Sequence, residues 1–135
     1  MRIFLLCYPL ACLLLFTGLQ QDPALAESME RGRSVFAEFC VVCHQAGGQG
    51  VEGVYPPLAG SDYLLQQRVP SIRGVKYGQR GPMVVNGVTY DNTMMPLGLS
   101  EQEIADVMNF VRNSWGNQAE GPMVTPEEVA SIGPR

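Results

Sequence analysis

In Cys40-Val41-Val42-Cys43-His44 two thiols stand three residues apart and a histidine directly follows the second. On a short helical turn this spacing lets both sulfurs reach the two vinyl groups of one porphyrin. It also sets an imidazole beneath the iron, where a neutral ring nitrogen serves as an axial ligand. The pentapeptide therefore reads as C-x-x-C-H, the attachment motif of a c-type haem, and a chain built on it has to fold around a large flat group. Competing uses of the motif fit the remaining residues poorly. A thioredoxin-like C-x-x-C follows a strand in a βαβ unit, whereas Glu30 to Phe39 reads as a helix. A zinc site takes four ligands, and His44 is the only histidine in the chain. A structural disulfide between Cys40 and Cys43 would leave the adjacent histidine without a role.

Residues 1–26 read as an export signal. Arg2 gives a basic start, Ile3 to Leu19 is mostly apolar, and Ala24-Leu25-Ala26 before Glu27 fits an A-x-A cleavage site. Pro9 interrupts the apolar run, and Asp22 is an unusual acid so close to a cleavage site. If retained, the run is about as long as the shortest membrane-spanning helices and would anchor the protein. Cys7 and Cys12 fall in this segment, and Leu10-Ala11-Cys12 is only faintly like a lipoprotein box because the apolar stretch continues past it. Cleavage leaves residues 27–135, one small domain, in the periplasm, with the haem forming a main part of its core. The net charge of −4 has the wrong sign for nucleic-acid binding and suits docking on a partner with a positive patch.

Along residues 27–135, Glu30 to Phe39 predicts a first helix that delivers the haem motif. Gln45 to Tyr55 predicts a glycine-rich loop, which Pro56-Pro57-Leu58-Ala59-Gly60 continues in extended form. Ser61 or Asp62 caps a short helix through Arg68, and Ser71 caps another running to about Tyr77. Val84-Val85-Asn86-Gly87-Val88-Thr89-Tyr90 carries a hairpin signal, because Asn-Gly suits a tight turn with positive φ. Ser100-Glu101-Gln102-Glu103 is a capping box that opens a helix with Ile104, Val107, Met108 and Val111 on one face, ending near Ser114. Thr125-Pro126-Glu127-Glu128 predicts a short final helix.

With no second histidine, the sixth iron ligand is expected to be a methionine sulfur. Met29 and Met108 suit packing, and Met83 and Met123 sit in loops beside proline. Met94-Met95-Pro96 is the best site, since it follows the hairpin in an irregular stretch and Pro96 holds Met95 extended. Met95 is the choice, and Met94 competes on the same chemistry.

Taken together, these residues resemble the class I monohaem cytochromes c across essentially the whole of residues 27–135. Gly32-x-x-x-Phe36-x-x-x-Cys40-x-x-Cys43-His44 is similar to that family's first helix and haem motif. Pro56-x-Leu58-x-Gly60 is similar to its P-x-L-x-G loop, Met95-Pro96 to its axial methionine, and Val107-x-x-Phe110-Val111 to its last-helix signature. The resemblance implies an all-α fold wrapped around one covalent haem c, with terminal helices that cross near Gly32, to which the Asn86-Gly87 signal adds a small β-hairpin before the methionine loop. It further implies that the Pro56 carbonyl accepts a hydrogen bond from the other ring nitrogen of His44, although Pro57 stands beside it. Within the family, Asn113-Ser114-Trp115-Gly116-Asn117, Val84-x-Asn86-Gly87-x-x-Tyr90 and the residues around Thr125 are similar to domains associated with copper nitrite reductases and with membrane alcohol or sugar dehydrogenases. Arg73, Arg80, Tyr63 and Trp115 are candidate contacts for the haem propionates or edge.

The function expected is one-electron transfer by a small exported carrier that transforms no substrate, with Cys40 and Cys43 as thioether anchors and His44 and Met95 as axial ligands. Partners would be redox proteins such as a copper nitrite reductase, a dehydrogenase or a terminal oxidase. Two alternatives stay open: a haem subunit bound permanently to a larger dehydrogenase or reductase, and a ligand-binding haem sensor or enzyme, which requires an open distal position.

Overall fold

The structure is a computed structural model that describes residues 22–135. Most of the expected signal segment lies outside these residues. Helix α1 spans Pro23–Val35, and a π-helical turn, Phe36–Cys40, joins it to α2, Val41–His44. The first helix thus begins earlier than its apolar pattern predicts, because Asp22 accepts the Ala24 N–H at 3.0 Å and Pro23 occupies the first helical position. The expected boundary between residues 26 and 27 falls inside α1. Helices α3, Asp62–Gln66, and α4, Arg68–Tyr77, follow the long loop. Ser61 caps α3 through the Leu64 N–H as expected, but α4 starts three residues ahead of the predicted Ser71 cap. Pro70 is the reason this is tolerated: in the first helical turn its missing N–H breaks no intrahelical bond.

Strands β1, Met83–Val85, and β2, Val88–Tyr90, pair antiparallel with Val85 opposite Val88. Asn86 and Gly87 make the turn at φ 51° and 78°, the two positive values that an Asn-Gly hairpin requires. Helix α5, Glu101–Arg112, carries the full capping box at Ser100 and Glu103, and α6, Pro126–Ser131, is capped by Thr125.

The terminal helices α1 and α5 cross at Gly32, where an added Cβ would lie 2.0 Å from the Asp106 carbonyl oxygen. Only a residue without a side chain admits this approach. Beside the crossing, Phe36 packs against Phe110 and Trp115 with ring centroids 5.5 and 5.1 Å away. The contact is sealed by a polar network, since the 2% exposed Asp106 accepts from Ser28 Oγ at 2.6 Å and from Arg31 Nε and Nη2 at 2.8 and 2.9 Å. Helix α6 closes the other side, where Arg68 grips Glu128 with two bonds of 2.7 Å and Lys76 Nζ caps the helix end at Val129 O, 2.8 Å. Ile104, Val107, Met108 and Val111 of α5 supply a buried stripe at the centre of one apolar core that also takes in Phe36 of the π turn, Ile72 of α4 and Val129 of α6.

Candidate haem site

The π-helical turn and α2 carry Cys40, Cys43 and His44 to one wall of a cavity. In the π turn the Val41 N–H reaches five residues back to the Phe36 carbonyl, which widens the helix just before the motif. Both cysteines are unpaired thiols at half-buried positions.

His44 Nδ1 lies 3.0 Å from the Pro56 carbonyl oxygen. A carbonyl only accepts, so Nδ1 carries the proton and donates, leaving Nε2 with the free lone pair a metal needs. Burial lowers the basicity of His44 below its ordinary value, and the bond to Pro56 opposes that shift. The ring is therefore neutral near pH 7, as an axial ligand must be.

The loop from Gln45 to Gly60 brings Pro56 to this position. Gly50 donates to the His44 carbonyl at 2.9 Å, and an added Cβ on Gly50 would stand 2.3 Å from Tyr55 O and 2.7 Å from Pro56 O. That glycine, at φ 61°, is what lets the loop fold back tightly enough to present the Pro56 oxygen to the imidazole.

The cavity, part of which opens to solvent, is bordered by the haem motif, the loop around Pro56, the hairpin and helices α3, α4 and α5. Leu58, Leu64, Val75, Val85, Val107, Met108 and Val111 furnish an apolar lining, and among the described residues no Asp, Glu, Lys or Arg takes part in it. Two thiols, one oriented imidazole and an apolar slot fit a covalently bound haem. Of the four residues considered for the propionates or haem edge, Tyr63 lines the cavity. Arg73 instead donates to Gly133 O at 3.0 Å, and Trp115 packs among Phe36 and Phe110 while donating to Ala46 O at 3.2 Å. Arg80 is also absent from the lining, whose polar groups include the neutral Tyr55, Ser61, Ser71, Gln79, Tyr90, Asn92 and Thr93.

The two adjacent methionines part company. Met94 lines the cavity, whereas Met95, the residue favoured on sequence, is 56% exposed and does not. Met94 exchanges two backbone hydrogen bonds with Gln79, of 2.8 and 2.9 Å, and so forms an extended bridge. Along extended chain successive side chains point to opposite faces. Met95, the residue directly before Pro96, is exposed, and its predecessor Met94 borders the cavity. The bridge to Gln79 joins segments with no local sequence pattern, so only the fold reveals it.

Residues 29–115 match the family model described as Cytochrome c. The chain is 32% identical over 121 residues to the cytochrome c subunit of a quinone alcohol dehydrogenase from Gluconacetobacter polyoxogenes, covering 82% of this chain and 25% of that protein. It is 36% identical over 98 residues to cytochrome c-552 of Thermus thermophilus, covering 69% and 66%. Identity to the FixP subunit of a cbb3-type cytochrome c oxidase from Bradyrhizobium diazoefficiens is 32% over 103 residues, covering 72% and 34%. The chain thus spans about a quarter of the dehydrogenase subunit and about a third of FixP.

Proposed function

The chain belongs to the cytochrome c family and takes haem c, and on that premise we propose that it is a one-electron carrier exported to the periplasm, anchored to its haem through Cys40 and Cys43 and ligating it through His44 and Met94. Bound haem supplies a one-electron iron couple, whose ferrous form thioether ligation favours. The observation that carries the reading is that the C-x-x-C-H wall and Met94 share one cavity, in whose lining no Asp, Glu, Lys or Arg stands among the described residues. Pro56 fixes the tautomer and plane of the His44 ring. The bridge to Gln79 fixes the backbone of Met94. With His44 and Met94 both holding the iron, electron transfer would call for little bond rearrangement and would leave no site for a substrate.

Absorption spectra of the purified protein, oxidised and reduced, test this reading. A six-coordinate low-spin c-type spectrum with slow, weak carbon monoxide binding is expected. Rapid carbon monoxide binding by the unmodified protein would make it a sensor or enzyme instead.

The partners we propose are a dehydrogenase or a terminal oxidase, because relatives of those kinds are haem subunits of such complexes; a copper nitrite reductase is a further acceptor to assay. The same relatives support a second arrangement, in which this chain stays bound to a larger enzyme. Native extraction followed by size separation distinguishes the two, since a diffusing carrier migrates alone. Among the described residues no helix is long and apolar enough to cross a membrane.

A further inference from the structure

Asn117 is 6% exposed, and its amide makes hydrogen bonds in three directions: Nδ2 donates to Leu58 O at 2.9 Å and Val111 O at 2.8 Å, and Oδ1 accepts the Gly60 N–H at 2.8 Å. One side chain thereby joins the end of the long loop to the last turn of α5. Within the loop the bonds form a closed circuit that begins and ends at His44. Gly50 donates to the His44 carbonyl, Leu58 and Ala59 both donate to Gly48 O at 2.7 and 2.9 Å, and the Pro56 oxygen between them receives His44 Nδ1. The circuit is tied to the segment after α5 at two places, by Trp115 at Ala46 and by Asn117 at Leu58 and Gly60. The Asn117 tie lies two residues from Pro56 in sequence, and Leu58 and Val111, which it spans, both line the haem cavity.

We propose that Asn117 is a positioning residue for the proximal histidine: it sets the Pro56 carbonyl against His44 Nδ1 and so controls how strongly that ring nitrogen is hydrogen-bonded and how basic the ligand is. The inference rests on His44 being the proximal ligand. Loosening the carbonyl weakens the bond, makes the imidazole a poorer donor to ferric iron, and raises the reduction potential.

Asn109 provides an internal control. It makes a matching set of buried bonds, from Nδ2 to Ser28 Oγ and Val124 O at 2.9 Å each and from the Val124 N–H to Oδ1 at 2.7 Å, but on the α1 side of α5 and outside the cavity lining. The test is solvent exchange of the His44 Nδ1 proton, followed by NMR in the reduced holoprotein, together with the reduction potential. Asn117→Leu is expected to speed exchange by about tenfold or more and shift the potential upward. Asn109→Leu should lower thermal stability comparably and leave both readings unchanged. If Asn117→Leu does not mature, Asn117→Ser, smaller and equally uncharged, serves in its place with the same expected directions. Wild-type exchange and potential in the Asn117 variant, or equal acceleration in Asn109→Leu, would overturn the proposal. A wild-type spectrum in which His44 is not an iron ligand would instead overturn the site assignment itself, and is visible before any variant is made.

Discussion

Gly32 and Asp106 meet backbone to backbone, so that any side chain on Gly32 would occupy the space of the Asp106 carbonyl, 2.0 Å from its oxygen. The obstructing atoms belong to a helix backbone and cannot rotate aside, so a larger residue has to separate α1 from α5. Gly32→Ala is therefore expected to destabilise the holoprotein by roughly 3 kcal/mol, measured by urea unfolding. A loss under roughly 1 kcal/mol would mean that the helices part without disturbing their other contacts.

The same crossing carries a pH dependence. Burial would raise the Asp106 pKa, but the bonds from Arg31, Ser28 and Gln102 outweigh it and hold the carboxyl below its usual value. Glu128 is held down likewise, chiefly by Arg68. A folded pKa lower than the unfolded one means that the stabilisation is complete above about pH 4 and fades as pH falls through the folded value. Because the Arg31 side chain is 52% exposed, solvent screening reduces its share. Asp106→Asn should cost about 1–3 kcal/mol at pH 7, and the gap to wild type should narrow toward pH 3 in urea melts. A gap that is independent of pH would assign the loss to packing.

What the sequence makes legible here is local chemistry, and what it hides is long-range pairing. The capping box at Ser100, the Asn86-Gly87 turn and the C-x-x-C-H motif each work over a few residues, so their geometry is written in adjacent letters. The crossing of the terminal helices near Gly32 and the bond from His44 to Pro56 follow from resemblance to a family, since periodicity does not carry them, whereas Asp106 as the partner of Gly32 emerges only from the fold. The orientation of Met94 and the three bonds of Asn117 depend on partners far along the chain, at Gln79 and at Leu58 and Gly60. Pro96 signals extended backbone but cannot say which face of that backbone meets the cavity.

Covalent attachment gives a direct test of the two thiols. After denaturation in acid and organic solvent, haem is expected to stay with the polypeptide, because thioether bonds survive conditions that extract non-covalent haem. Replacing both Cys40 and Cys43 by Ala should abolish attachment. It should also leave a largely unfolded chain, since the cavity they border is lined by core residues such as Val107, Met108 and Val111 that would lose their packing partner. Circular dichroism checks the second outcome. A well-folded, haem-free double variant would show that the core closes without its cofactor.

Met94 and Met95 offer the sharpest test of the distal side, because they are neighbours with the same chemistry and opposite exposure. Met94→Ala should abolish the sulfur-to-iron charge-transfer band of the oxidised protein, admit carbon monoxide to the reduced form, and lower the reduction potential, because a soft ligand that favours ferrous iron has gone. Met95→Ala removes an exposed side chain and should change stability by no more than about 0.5 kcal/mol, with the band and potential retained. If the band survives in Met94→Ala and is lost in Met95→Ala, the loop reverses in the holoprotein and Met95 is the ligand. If it survives in both, the sulfur comes from another methionine of the cavity, Met83 or Met108, and the bridge between Gln79 and Met94 serves to close the pocket instead of to present a ligand.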